Sequence, residues 1–163
     1  MEKFWLSWLK RSGRDGVERR AVMASPVEPI VEADFDEQTG TLKWSRFMTM
    51  LEAEQRQGSG SLLLIDLKEQ SRHLAAGEAG ADVLLLLSRA IYQAIRADDL
   101  VAHYEGDRFV VLLRGAQQDI AEEVRARIVE SVDNTVFFGA KGIVALDVSI
   151  ELVGTDAAPG TWR

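Results

Sequence analysis

The sequence predicts an α/β (α+β) domain on a mixed, mainly antiparallel central sheet flanked by helices, with an amphipathic helix ahead of it. Three observations carry that prediction. Leu62 to Ile65 is an unbroken apolar run, as suits a strand covered on both faces. Val101 to Tyr104 and Phe109 to Leu113 are two more strand-like runs, joined by the short turn Glu105-Gly106-Asp107. Residues 81–97 and Ile120 to Val129 repeat apolar residues at helical spacing. The resulting order of helix, strand, helix, hairpin, helix and strand is an α/β pattern.

Residues 1–11 place Phe4, Trp5, Trp8 and Leu9 at spacings of one, three and four, so a helix there gathers them on one face. Lys3, Ser7 and Lys10 turn the other way. With neither a long apolar core nor a small-residue cleavage site, the stretch does not read as a secretory signal. Such a face packs on its own domain, fills a partner's groove, or binds an anionic membrane surface. Residues 12–34, with Pro26 and Pro29 and no clear period, read as a linker.

The main domain is expected over residues 35–154. Asp36 to Gly40 supplies turn chemistry, and Trp44, Phe47, Met48 and Leu51 follow at helical spacing up to the breaker Gly58-Ser59-Gly60. The first strand ends at Asp66, and a polar loop is expected from there to about Gly80. Leu84, Leu87, Ile91 and Ile95 stripe the long helix. Val136 to Phe138 and Ile143 to Leu152 complete the strands, the second alternating at Val144, Leu146, Val148 and Ile150. Residues 155–163 read as a frayed tail carrying Trp162.

The chain has 163 residues and a formal charge of −7, which opposes nonspecific nucleic-acid binding. The charge is uneven: residues 1–22 carry six basic and three acidic side chains, leaving about −10 for the remainder. The sequence has no cysteine, so disulfides and thiolate metal sites are excluded. No apolar run reaches the roughly 18–20 residues of a membrane span. A cytoplasmic protein is the expectation, with peripheral contact at the inner membrane if residues 2–11 bind lipid.

Glu105-Gly106-Asp107-Arg108-Phe109 resembles the signature turn of the GGDEF family of diguanylate cyclases, which condense two GTP molecules into cyclic di-GMP. Asp36, Thr39, Gly40 and Phe47 match the family's opening element, Asp66 its metal-binding aspartate, and Gly77 and Asp82 a later motif whose aspartate binds guanine. The resemblance covers about residues 35–152 and implies a GGDEF, nucleotide-cyclase-like fold. It also implies lost activity. Glu105 stands for a glycine that lets backbone approach the nucleotide. Arg108 puts a permanent cation where the family has a second turn carboxylate. Ser71 replaces a phosphate-binding lysine, and Leu74 a guanine-reading asparagine. The family's closing helix with its phosphate-binding lysine has no counterpart before Arg163.

Condensing GTP uses divalent cations held by clustered carboxylates. With Asp66 and Asp107 alone remaining, no metal cofactor is expected, and one weakly held Mg²⁺ between them is the minority reading. The Arg96-Ala97-Asp98-Asp99 motif, at the family's spacing before the turn, resembles the inhibitory Arg-x-x-Asp site that binds cyclic di-GMP. Arg96 and Asp99 are its implied ligand residues, with Arg127, or else Arg125, completing it. The same two residues also suit a local ion pair, and Asp82 also suits a helix cap.

The resemblance therefore implies a cyclic di-GMP receptor or regulatory adaptor with protein partners, for exopolysaccharide, biofilm or motility machinery. A homodimer bridged by an intercalated ligand pair belongs to the same picture. A ligand-independent scaffold is the alternative. His73 and His103 read as structural, and Ser45 and Ser71 lack any hydrolase constellation.

Overall fold

The computed structural model describes residues 29–58, 60–76, 80–139 and 142–155. The expected N-terminal helix with Phe4, Trp5, Trp8 and Leu9, most of the linker, Gly77 and the tail with Trp162 lie outside the described residues. A short 3₁₀ turn at Glu32–Asp34 precedes the first helix, α1, Trp44–Gln57. Phe47, Met50 and Leu51 bury one stripe of α1. It stops at Gly58, whose φ of +69° lets its N–H bond back to Glu54 and Gln55.

Strand β1, Ser61–Leu67, is buried along its length apart from half-buried Asp66. It runs through the middle of a four-stranded sheet of order β2-β3-β1-β6, with β2 at Leu100–His103, β3 at Phe109–Leu113 and β6 at Val148–Gly154. All three pairings are antiparallel. Among the described residues the mixed character comes from one parallel bridge, Leu42 with Ala102, at the β2 edge. His103 therefore lies on an edge strand, half-buried.

The loop expected after Asp66 is instead a helix, α2, Glu69–Ala76. Its polar sequence hides it, because tertiary contacts hold it: buried Ser71 accepts from the Asp147 N–H at 3.0 Å, and Gln70 donates to the Asp147 carboxylate. His73 is thus helical and exposed. Helix α3, Gly80–Ala94, ends three residues before the expected boundary. Its buried stripe is Val83, Leu87, Ala90, Ile91 and Ala94, while Leu84 and Ile95 are only half-buried. Ser88 and Tyr92 donate to the carbonyls of Thr39 and Gly40, so α3 pins the opening turn.

Helix α4, Gln118–Asp133, buries Ala121, Val124, Ile128 and Val132. The strand expected from Ile143 to Leu152 is broken. Its first part, β5 (Gly142–Val144), pairs with β4 (Phe137–Gly139) in a separate two-stranded ribbon. The chain then crosses to the main sheet through Ala145–Asp147, where buried Leu146 and the Asp147 contacts to α2 interrupt pairing. The α/β architecture with a mainly antiparallel sheet flanked by helices is as the sequence predicts.

Candidate functional site

The β2–β3 hairpin carries a candidate site at each end. At its tip, Glu105-Gly106-Asp107 forms a three-residue loop closed by the Tyr104 N–H on the Arg108 carbonyl at 2.8 Å. Gly106 takes a φ of +52°, which a glycine adopts without strain. The register that sets Ile65 opposite Phe109 brings the next residues, Asp66 and Arg108, face to face. Arg108 Nε accordingly lies 3.0 Å from Asp66 Oδ1. A second guanidinium, Arg72 on α2, sits 3.8 Å from Asp107 Oδ2 and also donates to the Leu67 carbonyl.

Two carboxylates are therefore matched by two guanidinium groups of this chain. Burial pushes the Asp66 carboxyl above its ordinary value. Arg108 and Arg72 pull against that shift, while Asp107 and Glu151 add to it. A hard divalent cation needs carboxylate oxygens turned toward it and uncompensated. Here Arg108 pairs with Oδ1 of Asp66 and Arg72 lies near Asp107, so the residues present do not fit the cation that the family resemblance implies. Among the described residues no three His, Cys, Asp or Glu side chains converge as a metal cluster.

Trp44 packs against the residue that leads into this tip. Its ring stacks on Phe47 at 5.5 Å and meets Tyr104, the residue before the turn, at 4.8 Å. Glu105 is exposed beyond it.

At the base of the hairpin, Arg96 and Asp99 form a fork-to-fork pair. Arg96 Nη2 is 2.8 Å from Asp99 Oδ1 and Nε is 3.0 Å from Oδ2, which also accepts the Arg96 backbone N–H. Nη2 donates further to the Arg114 carbonyl at 3.0 Å. The Asp99 side chain is fully buried, whereas that of Arg96 is 37% exposed. Bonding to Asp99 raises the Arg96 pKa. Burial pushes the Asp99 carboxyl up, against the guanidinium and N–H that favour its ionised form. Asp99 faces inward, where it orients Arg96; it does not present its oxygens to solvent.

The other expected site residues are dispersed. Asp82 is exposed in the first turn of α3, inside the helix and not at a cap, where its charge suits the helix dipole. Arg127 is exposed on α4. Arg125, its alternative, pairs with Glu122 one turn earlier. Sequence reasoning missed Arg72, because only the unrecognised helix α2 carries it to Asp107. It also missed the buried pair of Glu54 and Arg114, 3.3 Å apart. Glu54 fell on the expected apolar face of α1, which was the available signal. Among the described residues no helix is long and apolar enough to cross a membrane.

Residues 33–156 match the family described as the diguanylate cyclase GGDEF domain. Diguanylate cyclase DosC of Escherichia coli K12 is 30% identical over 93 residues, which are 55% of this chain and 20% of that protein. The chain thus spans about a fifth of the length of the curated relatives it matches. Among solved structures, the diguanylate cyclase SiaD of Pseudomonas aeruginosa, in complex with its activator SiaC, superposes with a TM-score of 0.66 at 22% identity, over 84% of this chain and 54% of that one. The FimX GGDEF domain of the same organism gives 0.66 at 21%, over 77% and 83%. The GGDEF domain of DgcB from Caulobacter crescentus, in complex with c-di-GMP, gives 0.65 at 14%, over 77% and 79%.

Proposed function

Because the chain belongs to the diguanylate cyclase GGDEF domain family, we propose that it serves cyclic di-GMP signalling as a catalytically inactive domain that binds the dinucleotide without making it. The observation that carries the receptor reading is the Arg96 fork. Asp99 and the Arg114 carbonyl take the Nε and Nη2 donors of its guanidinium, which leaves the two N–H groups of Nη1 on a side chain 37% exposed for a phosphate oxygen or a guanine acceptor. Such a pre-oriented arginine loses little conformational freedom on binding. Asp99 acts here as a positioning residue. Arg127 is the expected additional contact, supplied by this chain or by a second copy in a ligand-bridged homodimer.

Inactivity is supported by the Arg108–Asp66 pair, which places a fixed cation where a metal would bind. Bound dinucleotide then acts by biasing contact with a protein partner, exopolysaccharide, biofilm or motility machinery being the expected client. A ligand-independent scaffold is the second reading. It is favoured by one observation: both Asp99 oxygens are already used inside the fold.

Calorimetric titration with cyclic di-GMP, with GTP as control, decides between them. Arg96→Ala alone strands a buried carboxylate, so the comparison variant is Arg96→Gln/Asp99→Asn, an uncharged pair that retains an amide–amide hydrogen bond at the bend while giving up the Arg114 contact. Saturable binding by the natural chain and none by a cooperatively melting double variant supports the receptor. No heat with the natural chain leaves the scaffold. Formation of cyclic di-GMP from GTP and Mg²⁺ would overturn inactivity.

A further inference from the structure

The turn that follows β3 supplies a partner of Arg96 besides Asp99. The β2–β3 register pairs Leu100 with Leu112. Continued two residues past the ladder, it sets Arg114 opposite Asp98, beside the bend that carries Arg96 and Asp99. There the Arg114 carbonyl accepts from Arg96 Nη2 at 3.0 Å. That carbonyl belongs to the peptide between Arg114 and Gly115, the middle of a turn closed by the Ala116 N–H on the Leu113 carbonyl at 3.4 Å. Gly115 takes a φ of +66°. A positive φ at the third residue of such a turn marks type II, whose middle peptide points opposite to that of type I. The other turn residues are anchored. Leu113 pairs with Ser61 of β1, the Arg114 side chain lies 3.3 Å from buried Glu54, and Ser61 donates to the Ala116 carbonyl at 2.9 Å. None of these anchors fixes the direction of the middle peptide; the backbone of Gly115 does.

We propose that Gly115 is a positioning residue for Arg96: its left-handed backbone aims the Arg114 carbonyl at Nη2 and so leaves Nη1 as the ligand-facing donor group. This rests on the reading of Arg96 as a dinucleotide-binding arginine. Asp99 grips the guanidinium along one edge, and a fork held along one edge on a half-exposed side chain can still hinge. The Arg114 carbonyl adds a contact beyond that edge. The five donors of the guanidinium are then divided, with Nε and Nη2 turned to the fold and the two Nη1 protons left for a ligand. Crowding does not explain the glycine. Residue 115 is exposed, and a Cβ added to it would meet nothing within 4 Å. The positive φ is what asks for glycine at this position.

Gly115→Val and Gly115→Asn in the full chain test this. A β-branched residue is an outlier at positive φ, whereas asparagine tolerates it. In crystal structures the valine variant should have its Arg114 carbonyl turned away from Nη2, and the asparagine variant should keep it there. Calorimetric titration with cyclic di-GMP should show roughly two- to tenfold weaker binding by the valine variant, as expected when one side chain is no longer pre-oriented. The asparagine variant should bind like the natural chain. A glycine needed only for the turn would lower the melting temperature of the valine variant and move neither readout. A carbonyl that stays on Nη2 in the valine variant overturns the proposal, and so does unchanged affinity once the carbonyl has turned away. If the natural chain binds no cyclic di-GMP, it is the receptor reading that fails, and the two crystal structures still decide whether Gly115 aims the carbonyl. Gly115→Ala takes the place of the valine variant if that one does not melt cooperatively.

Discussion

Arg108 Nε lies 3.0 Å from Asp66 Oδ1, and the two residues face each other because the β1–β3 register continues one pair beyond the strand end. A side chain of the protein thus contributes the positive charge at this point of the fold. Arg72 does the same for Asp107 at longer range.

Reversing that charge creates a site for a real cation. Arg108→Glu places like charges directly opposite each other, at a cost of about 1 kcal/mol. Without metal the variant should melt a few degrees below the natural chain. Millimolar Mg²⁺ or Mn²⁺ should restore it, while the natural chain stays unmoved. Thermal melts with and without metal read this out. An equal response from the natural chain would mean that Arg108 does not substitute for a cation.

The Asp66 carboxyl should titrate above its ordinary value, and Arg108→Gln should raise it further by removing the largest opposing influence. The sign for stability follows. With the folded pKa above the unfolded one, the native state holds more protons between the two values. The contribution of Asp66 is therefore fully present below the unfolded pKa and is lost as pH rises through the folded one. In the variant that loss extends to higher pH. Carboxyl ¹³C titration measures both proteins, and a downward shift in the variant would refute the assignment.

The strands were legible where burial is two-sided, as in Leu62 to Ile65, and the signature turn was legible as a turn. Helix α2 was not, because Ser71 and Arg72 hold it through contacts to Asp147 and Leu67 that no local period reveals. Alternation from Val144 to Ile150 continues in the sequence across a break that exists only because the chain changes sheets. At the site, Arg108 was legible as a lost carboxylate. Its pairing with Asp66 needed the register, and the inward turn of Asp99 needed the backbone path of a bend whose other residues stay half-buried.

Glu54 and Arg114 form a pair with side chains 5% and 12% exposed. Removing one member strands the other in a low-dielectric core, so Arg114→Ala should cost about 3–5 kcal/mol. Replacing both by methionine should cost far less, since the desolvation penalty goes with the charges. Denaturant unfolding of the three proteins tests this. Equal losses in the single and double variants would show that packing, not charge, sets the cost.

The sharpest separation of fold from function lies at Arg96 and Asp99. Arg96→Ala leaves the wholly buried Asp99 carboxylate without its guanidinium, so it should destabilise the fold by about 3 kcal/mol or more even if no ligand ever binds. Loss of dinucleotide binding in that variant alone proves nothing. Arg96→Gln/Asp99→Asn removes both charges while retaining an amide pair at the bend, and should lie within about 1–2 kcal/mol of the natural chain. If cyclic di-GMP raises the melting temperature of the natural chain and not that of this folded double variant, the arginine fork is the binding group. If both respond equally, the dinucleotide binds elsewhere and Arg96 is only the partner that keeps Asp99 buried.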